Sequence, residues 1–268
     1  MITHDRLIQS ETLYLADLPT PLEGLRIAHL SDIHISRQRR RWRRIIRLMR
    51  QIRVDLVLMT GDYITTAGQE PVGARVMTQL IESLQPRLGT YGVFGNHDTW
   101  ELRQLLDDLT IRWLDNEALM VDGLPLKITG FEADPHAQPD SVAALFDAPG
   151  AGTPESGACP VHLLLCHYPF YLPVAADLGV DVMFTGHTHG GQCRLPGGRA
   201  LVNSTDLPLR LTSGILRHRD TIAVVSRGLG EVRIPLRLFC PPHVLIYTLR
   251  SGPMHGRYCD DITNVQPW

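Results

Sequence analysis

An α/β fold follows from two features of the 268-residue chain. Six short apolar runs, each closed by a turn or a polar cluster, read as buried strands: "LRIAHLS" (25–31), "VDLVLMT" (54–60), "YGVFG" (91–95), "PLKITGF" (125–131), "VHLLLCH" (161–167) and "VDVMFTG" (180–186). Helical patterns fall between them, at roughly 40–53, 72–85, 101–109 and 139–147. Strand alternating with helix is the pattern of an α/β architecture.

Each element has its own signal. The opening stretch "MITHDRLIQSETLYLADLP" has no apolar centre of the kind a signal peptide carries, and no run of about 20 apolar residues exists to span a bilayer. Helix 40–53 places apolar residues at 42, 45, 46, 49 and 52, a stripe at helical spacing with arginines around the rest. "DAPGAGTPESGACP" (147–160) is rich in Gly, Pro, Ser and Ala and reads as a mobile surface loop within one domain spanning 1–268, whose core covers about 12–249. Beyond residue 200, "TIAVVSRG" and "HVLIYTLR" read as strands, and "LPLRLTSG" is a weaker strand pattern between turns.

Composition narrows the function classes. With 44% hydrophobic and 20% charged residues the chain is an ordinary globular protein, and a net charge of −2 gives no reason to expect nucleic-acid binding. Lys127 is the only lysine. Five cysteines, an odd number without C-x-x-C spacing, argue against a disulfide framework or zinc knuckle and for a reducing cytoplasm. No obligate protein partner is evident.

Polar residues recur where the strands end. The first delivers Asp32 and His34 in "SDIH", the second Asp62 in "TGDY", the third Asn96, His97 and Asp98 in "GNHD". The fifth delivers His167 in "CHYP", the sixth His187 and His189 in "GHTHGGQ". Singly each has an ordinary reading: a helix cap at Asp32, a turn aspartate at Asp62, a hydrogen-bonded histidine at 167. Together they aim imidazoles and carboxylates at the crevice that open α/β sheets form at the carboxyl ends of their strands. That mixed donor set suits divalent Mn²⁺, Fe²⁺ or Zn²⁺, and two such ions about 3.5–4 Å apart can clamp a phosphoryl group. His29, His136, His162 and His218 lack strand-end placement and read as structural or exposed, and Cys166 and Cys193 as spacers beside the ligands. Trp100 either lines a pocket or caps a helix.

These motifs resemble the signature of the calcineurin-like metallophosphoesterases: D-x-H, G-D, G-N-H-D/E, H and G-H-x-H, met in order at 32–34, 61–62, 95–98, 167 and 186–189. "GHTHGGQ" and "SRGLGEVRIPLRLFCPP" are similar to the YkuE- and YaeI-type phosphodiesterase branch, which includes enzymes acting on UDP-2,3-diacylglucosamine. The resemblance implies a four-layered α-β-β-α sandwich of two mixed sheets flanked by helices. It implies that Asp32, His34 and His189 hold one divalent ion, that Asn96, His167 and His187 hold a second, and that Asp62 bridges them, with Mn²⁺ ahead of Fe²⁺ or Zn²⁺. His97 would stabilise the phosphoryl group or protonate the leaving oxygen, and Asp98 would orient His97 through its other ring nitrogen. The activity implied is hydrolysis of a phosphodiester or pyrophosphate by attack of a metal-bridged hydroxide.

"GDYITT" and "SDIHIS" depart from the forms in protein Ser/Thr phosphatases of the same superfamily, which disfavours a phosphoprotein substrate. A lipid-linked substrate such as UDP-2,3-diacylglucosamine, a soluble nucleotide or a cyclic nucleotide stays open, and a scaffold without turnover fits the full ligand set poorly. The basic stretch "RQRRRWRRIIRLMRQIR" (37–53) has three readings. It is a surface helix packed by Ile45, Ile46 and Met49, or its first turn brings Arg37, Arg39 or Arg40 to a second phosphate, or Trp42 and the arginines rest on an anionic leaflet at the inner face of the membrane.

Overall fold

The computed structural model describes residues 7–37, 40–132, 159–203, 205 and 207–268. The 139–147 helix, most of the 147–160 loop, Arg39 and His136 lie outside the described residues. The strands are β1 (Ile8–Leu15), β2 (Arg26–Leu30), β3 (Leu56–Thr60), β4 (Thr90–Val93), β5 (Arg112–Trp113), β6 (Glu117–Met120), β7 (Leu126–Phe131), β8 (Val161–Cys166), β9 (Val182–Thr185), β10 (Gly214–His218), β11 (Thr221–Val225), β12 (Val244–Ser251) and β13 (Thr263–Gln266). The helices are α1 (Arg40–Met49), α2 (Glu70–Ser83), α3 (Trp100–Leu106) and α4 (Leu172–Asp177).

Two mixed sheets result, ordered β1-β12-β2-β3-β4-β5 and β13-β10-β11-β9-β8-β7-β6. Central strands β2, β3 and β4 are mutually parallel in the first. In the second, β7, β8, β9 and β11 are parallel. Period-two alternation divides each central strand between two cores. On β3, Leu56 and Leu58 face the second sheet, while Val57 and Met59 face the helices. Leu163 and Leu165 of β8 and Val182 and Phe184 of β9 complete the layer between the sheets.

Helices α1, α2 and α3 cover the outer face of the first sheet through Trp42, Ile45, Ile46, Met49, Val76, Leu80 and Leu102. The stripe anticipated on α1 is thus what packs it down. Trp42 is 2% exposed, so it cannot rest on a leaflet; its indole lies in the core instead. Helix α4 packs on the second sheet's outer face through Leu172 and Ala175. All six anticipated strands form, with ends shifted by one or two residues. "LPLRLTSG" forms a single tight turn at Leu209–Leu211, not a strand. No helix among the described residues is long and apolar enough to cross a membrane.

Candidate metal centre

Parallel alignment brings the carboxyl ends of β2, β3, β4, β8 and β9 to one edge of the two sheets. The chain leaving β2 follows the chain leaving β3: Asp32 N–H donates to the Gly61 carbonyl at 3.0 Å and His34 N–H to the Asp62 carbonyl at 2.9 Å. Among the described residues, ten other than glycine have positive φ, and five of them are Asp32, His34, Asp62, His187 and His189. Such backbone is costly away from glycine and persists only where its surroundings fix it, typically at functional sites. Glycines admit the crowding. A Cβ on Gly95 would collide with the Asp62 carboxylate, and one on Gly228 with Asp32.

Acidic and imidazole side chains form two overlapping clusters here. Asp32, His34, Asp62 and His189 present ligand atoms within 4.8 Å of one another, and so do Asp62, His167 and His187. Asp62 belongs to both. Its Oδ1 accepts the His97 backbone N–H at 2.9 Å, while Oδ2 lies 3.4 Å from His34 Nε2 and 3.2 Å from His167 Nε2. Asp32 Oδ1 accepts the His187 backbone N–H at 2.8 Å and lies 3.5 Å from His189 Nε2. Asn96 lines the same cleft as Asp62 and His187.

These residues fit a pair of divalent cations. His34 Nε2 and His189 Nε2 are 3.1 Å apart, and His187 Nδ1 and His167 Nε2 are 3.2 Å apart. Such separations are the edges of a coordination polyhedron with bonds of about 2.1 Å. His167 donates Nδ1–H to the Thr60 carbonyl at 2.7 Å, which turns its Nε2 lone pair toward Asp62 as a ligating imidazole requires. Thiolates are absent from both clusters, as harder cations prefer.

The electrostatics point the same way. Burial opposes ionisation of Asp62, but the charges and hydrogen bonds of His167 and then His34 outweigh it and hold the carboxyl well below its usual range. Burial likewise opposes protonation of His167, yet the Asp62 charge lifts it to about 9. The field that draws a proton to His167 is one that attracts a cation.

Two placements differ from expectation. Asp98 does not orient His97. It accepts the backbone N–H groups of Asp62, Tyr63 and Gly95 at 2.8, 2.7 and 2.9 Å and so braces the turn carrying Asp62. Burial, then the Asp62 charge, push its carboxyl up to about 7. The His97 ring is instead held by its Nδ1, 2.6 Å from the Thr65 carbonyl. Arg37, which precedes α1, and Arg40, opposite its buried stripe, are exposed and line neither the metal cleft nor the 150 Å³ cavity beside it. Arg41 is the α1 arginine in that cavity, next to His34 and paired with Glu231. Trp100 opens α3 66% exposed and lines a 370 Å³ hollow with Phe94, Arg103 and Trp113 instead of the metal cleft, and the helix is capped by Thr99, whose hydroxyl accepts the Leu102 N–H at 3.2 Å.

Sequence reasoning singled out the stretch 226–242 only as a point of resemblance and missed that residues 227–240 form a strap against the ligands. Gly230 N–H donates to the Asp32 carbonyl at 2.6 Å. Arg237 donates to the carbonyls of Arg227 at 2.7 Å and His189 at 3.4 Å and also holds Gly230, tying this strap to the His189 turn. The signal for it lies in the glycine pair of "SRGLGE", where a Cβ on Gly228 would meet Asp32 and one on Gly230 would meet His34. His29 and His162, by contrast, are buried on Thr60 and Thr129 at 2.9 and 2.8 Å.

A family model described as calcineurin-like phosphoesterase matches residues 25–191. The metallophosphoesterase YkoQ of Bacillus subtilis is 27% identical, over 84% of this chain and 83% of its own length. The phosphodiesterase YaeI of Escherichia coli is also 27% identical, over 91% and 87%. The UDP-2,3-diacylglucosamine pyrophosphatase LpxG of Chlamydia muridarum is 24% identical, over 84% and 83%. Among solved structures, the NAD nucleotidase NadN of Haemophilus influenzae superposes with a TM-score of 0.50 at 16% identity, over 77% of this chain and 51% of that one. The chain thus spans about half of that enzyme, and the likeness shows the fold alone.

Proposed function

The chain belongs to the calcineurin-like phosphoesterase family and is a metal-dependent phosphoester hydrolase, and from that premise we propose that it cleaves a phosphodiester or pyrophosphate bond at a dinuclear centre bridged by Asp62. Asp32, His34 and His189 would hold one cation, and Asn96, His167 and His187 the other, Mn²⁺ before Fe²⁺ or Zn²⁺. When bound, the pair supplies neutralisation of the phosphoryl oxygens and acidifies the attacking water. The chain's own groups do the rest. Asp62 Oδ1 anchors the His97 backbone, and the Thr65 carbonyl fixes the His97 ring by Nδ1, leaving Nε2 as the atom that gives a proton to the leaving oxygen. Asp98, through three backbone amides, holds the Asp62 turn in its left-handed conformation.

The observation that supports this reading most is the membership of one carboxylate in two ligand clusters. The substrate we propose is lipid-linked, of the kind of UDP-2,3-diacylglucosamine, because the 410 Å³ cleft is walled on one side by Val202, Val232 and Ile234. A cytoplasmic location agrees with five free cysteines. Hydrolysis of bis-p-nitrophenyl phosphate with added Mn²⁺, lost on chelation, tests the class. A panel of lipid-linked UDP sugar, cyclic nucleotide and phosphomonoester tests the substrate, and preference for the cyclic nucleotide would replace the lipid reading with a soluble one.

A further inference from the structure

Of the twelve exposed large apolar side chains among the described residues, seven sit on two short segments beside the metal cleft. Leu195, Leu201 and Val202 belong to 192–203, and Ile234, Leu236, Leu238 and Phe239 to 232–239. The segments form one surface. Arg194 N–H donates to the Leu238 carbonyl at 2.8 Å and Leu238 N–H to the Gln192 carbonyl at 3.1 Å. The Gln192 amide clasps the second segment, donating to the Ile234 carbonyl at 2.8 Å and accepting the Val232 N–H at 2.9 Å. Scattered apolar residues on a surface need no account, but a contiguous set pinned by backbone hydrogen bonds marks an interaction site.

Charge identifies the partner. Neither segment contains an Asp or Glu, and both carry an exposed arginine, Arg199 and Arg233. A two-fold contact between copies of the chain would set this patch against itself, arginines facing arginines with no carboxylate in either segment to pair them. Apolar side chains with exposed arginines among them are instead the make-up of a surface that lies in a lipid interface, with aliphatic and aromatic groups among acyl chains and basic groups at phosphate level. The backbone is also strained here. Arg233 and Phe239 hold φ of 59 and 50, and Phe239 is nonetheless 56% exposed.

We propose that this face docks the protein on an anionic lipid surface. Val202 and Ile234 line the cleft together with Asp62, His97, His187 and His189, so the apolar surface opens into the metal centre. Docked this way, the cleft opens at headgroup level, where an amphiphilic phosphoester would present its bond. What the docking serves rests on the phosphoesterase reading; the docking itself does not.

The test is co-sedimentation of the full, Mn²⁺-loaded chain with phosphatidylcholine vesicles, with and without phosphatidylglycerol. The wild type is expected to bind the mixed vesicles and to be released by salt. Leu236→Ser with Phe239→Ser, both solvent-facing, should lower partitioning by about tenfold or more, the scale expected from removing two buried apolar anchors. Hydrolysis of bis-p-nitrophenyl phosphate in solution should be unchanged by that pair, which shows that the variant is folded. No vesicle binding, binding indifferent to phosphatidylglycerol, or binding indifferent to the double substitution would each overturn the proposal. A concentration-dependent dimer abolished by the substitutions, without vesicle binding, would give the face to a second copy. Vesicle binding by a protein inactive toward every phosphoester would overturn the functional reading and leave the docking standing.

Discussion

The floor and the rim of the cleft are built by opposite rules. On the floor, Asp32, His34, Asp62, His167 and His189 are each at most 4% exposed, and their polar atoms face one another. On the rim, Val202 and Ile234 are each 61% exposed and their apolar atoms face solvent. Both regions hold non-glycine residues in left-handed backbone, which ordinary packing seldom favours. The floor places polar groups where water is scarce, and the rim places apolar groups where water is plentiful. The floor's buried polar groups cost stability in the free chain and would be answered by cations; the rim's exposed apolar groups are what the proposed lipid docking would cover.

The largest effect should come from the floor's shared carboxylate. Asp62→Ala removes the atom common to both clusters, and Asp62→Asn removes its charge while keeping its shape. Both should lower bis-p-nitrophenyl phosphate turnover by at least about 10³-fold, the scale expected when a group stabilising transition-state charge is lost. Calorimetric titration with Mn²⁺ should show fewer bound ions. Retention of two ions by Asp62→Ala would deny that the clusters share a bridge. Next in size is His97→Ala, expected to cost about 10²–10⁴ in kcat, as loss of a general acid does, with the Mn²⁺ requirement unchanged. An altered metal requirement would instead place His97 among the ligands.

The same contrast decides how much of each region is legible in the sequence. Coordination needs particular side chains just past strand ends, so "SDIH", "GNHD" and "GHTHGGQ" taken together disclose which residues meet on the floor, while the division of ligands between two ions rests on the family resemblance. The central strands are legible for a related reason. Buried on both faces, β3, β8 and β9 are nearly continuous apolar runs. Strand β1, at the sheet edge, mixes polar residues as "IQSETLYL", and β10 ends in Arg217 and His218, so neither stands out. The rim needs only apolarity and positive charge, with no fixed spacing, and its two segments meet through backbone hydrogen bonds that no side-chain pattern announces. The role of Asp98 is hidden for another reason: a motif shows adjacency in the chain, not which donor an oxygen accepts from.

Arg237 joins the two regions, and its loss should fall between them in size. It reaches from the rim segment to the Arg227 and Gly230 carbonyls of the stretch that packs on Asp32 and His34, and to the His189 carbonyl. Arg237→Met keeps the aliphatic stem and removes every donor. The Mn²⁺ concentration for half-maximal activity should rise about 10–100-fold, as for other residues that support a ligand from behind, with kcat at saturating metal nearly restored. Lysine should rescue little, since one ammonium cannot span carbonyls that a planar guanidinium reaches together. Unchanged metal dependence would make the strap merely structural.

The smallest effect separates the floor from the interior beneath it. His29 lies between the sheets and His162 on the covered outer face of the second sheet, and burial pushes each imidazole down to about 3, with Lys127 adding to the effect at His162. A folded-state value below the ordinary 6.5 means that the unfolded chain binds a proton the native chain refuses. The stability each histidine permits is therefore complete above pH 6.5 and is lost as pH falls from there toward 3, by about 1.4 kcal/mol per pH unit per proton. His162→Gln keeps an acceptor for the Thr129 hydroxyl and removes one titrating group. In urea melts between pH 6 and pH 4, the variant should lose stability less steeply than the wild type by about that slope. Ligand histidines contribute equally to both proteins, so they cancel in the difference. A slope identical to the wild type would mean that His162 accepts its proton without unfolding, and that the covered outer face of the second sheet admits water where the structure shows it closed.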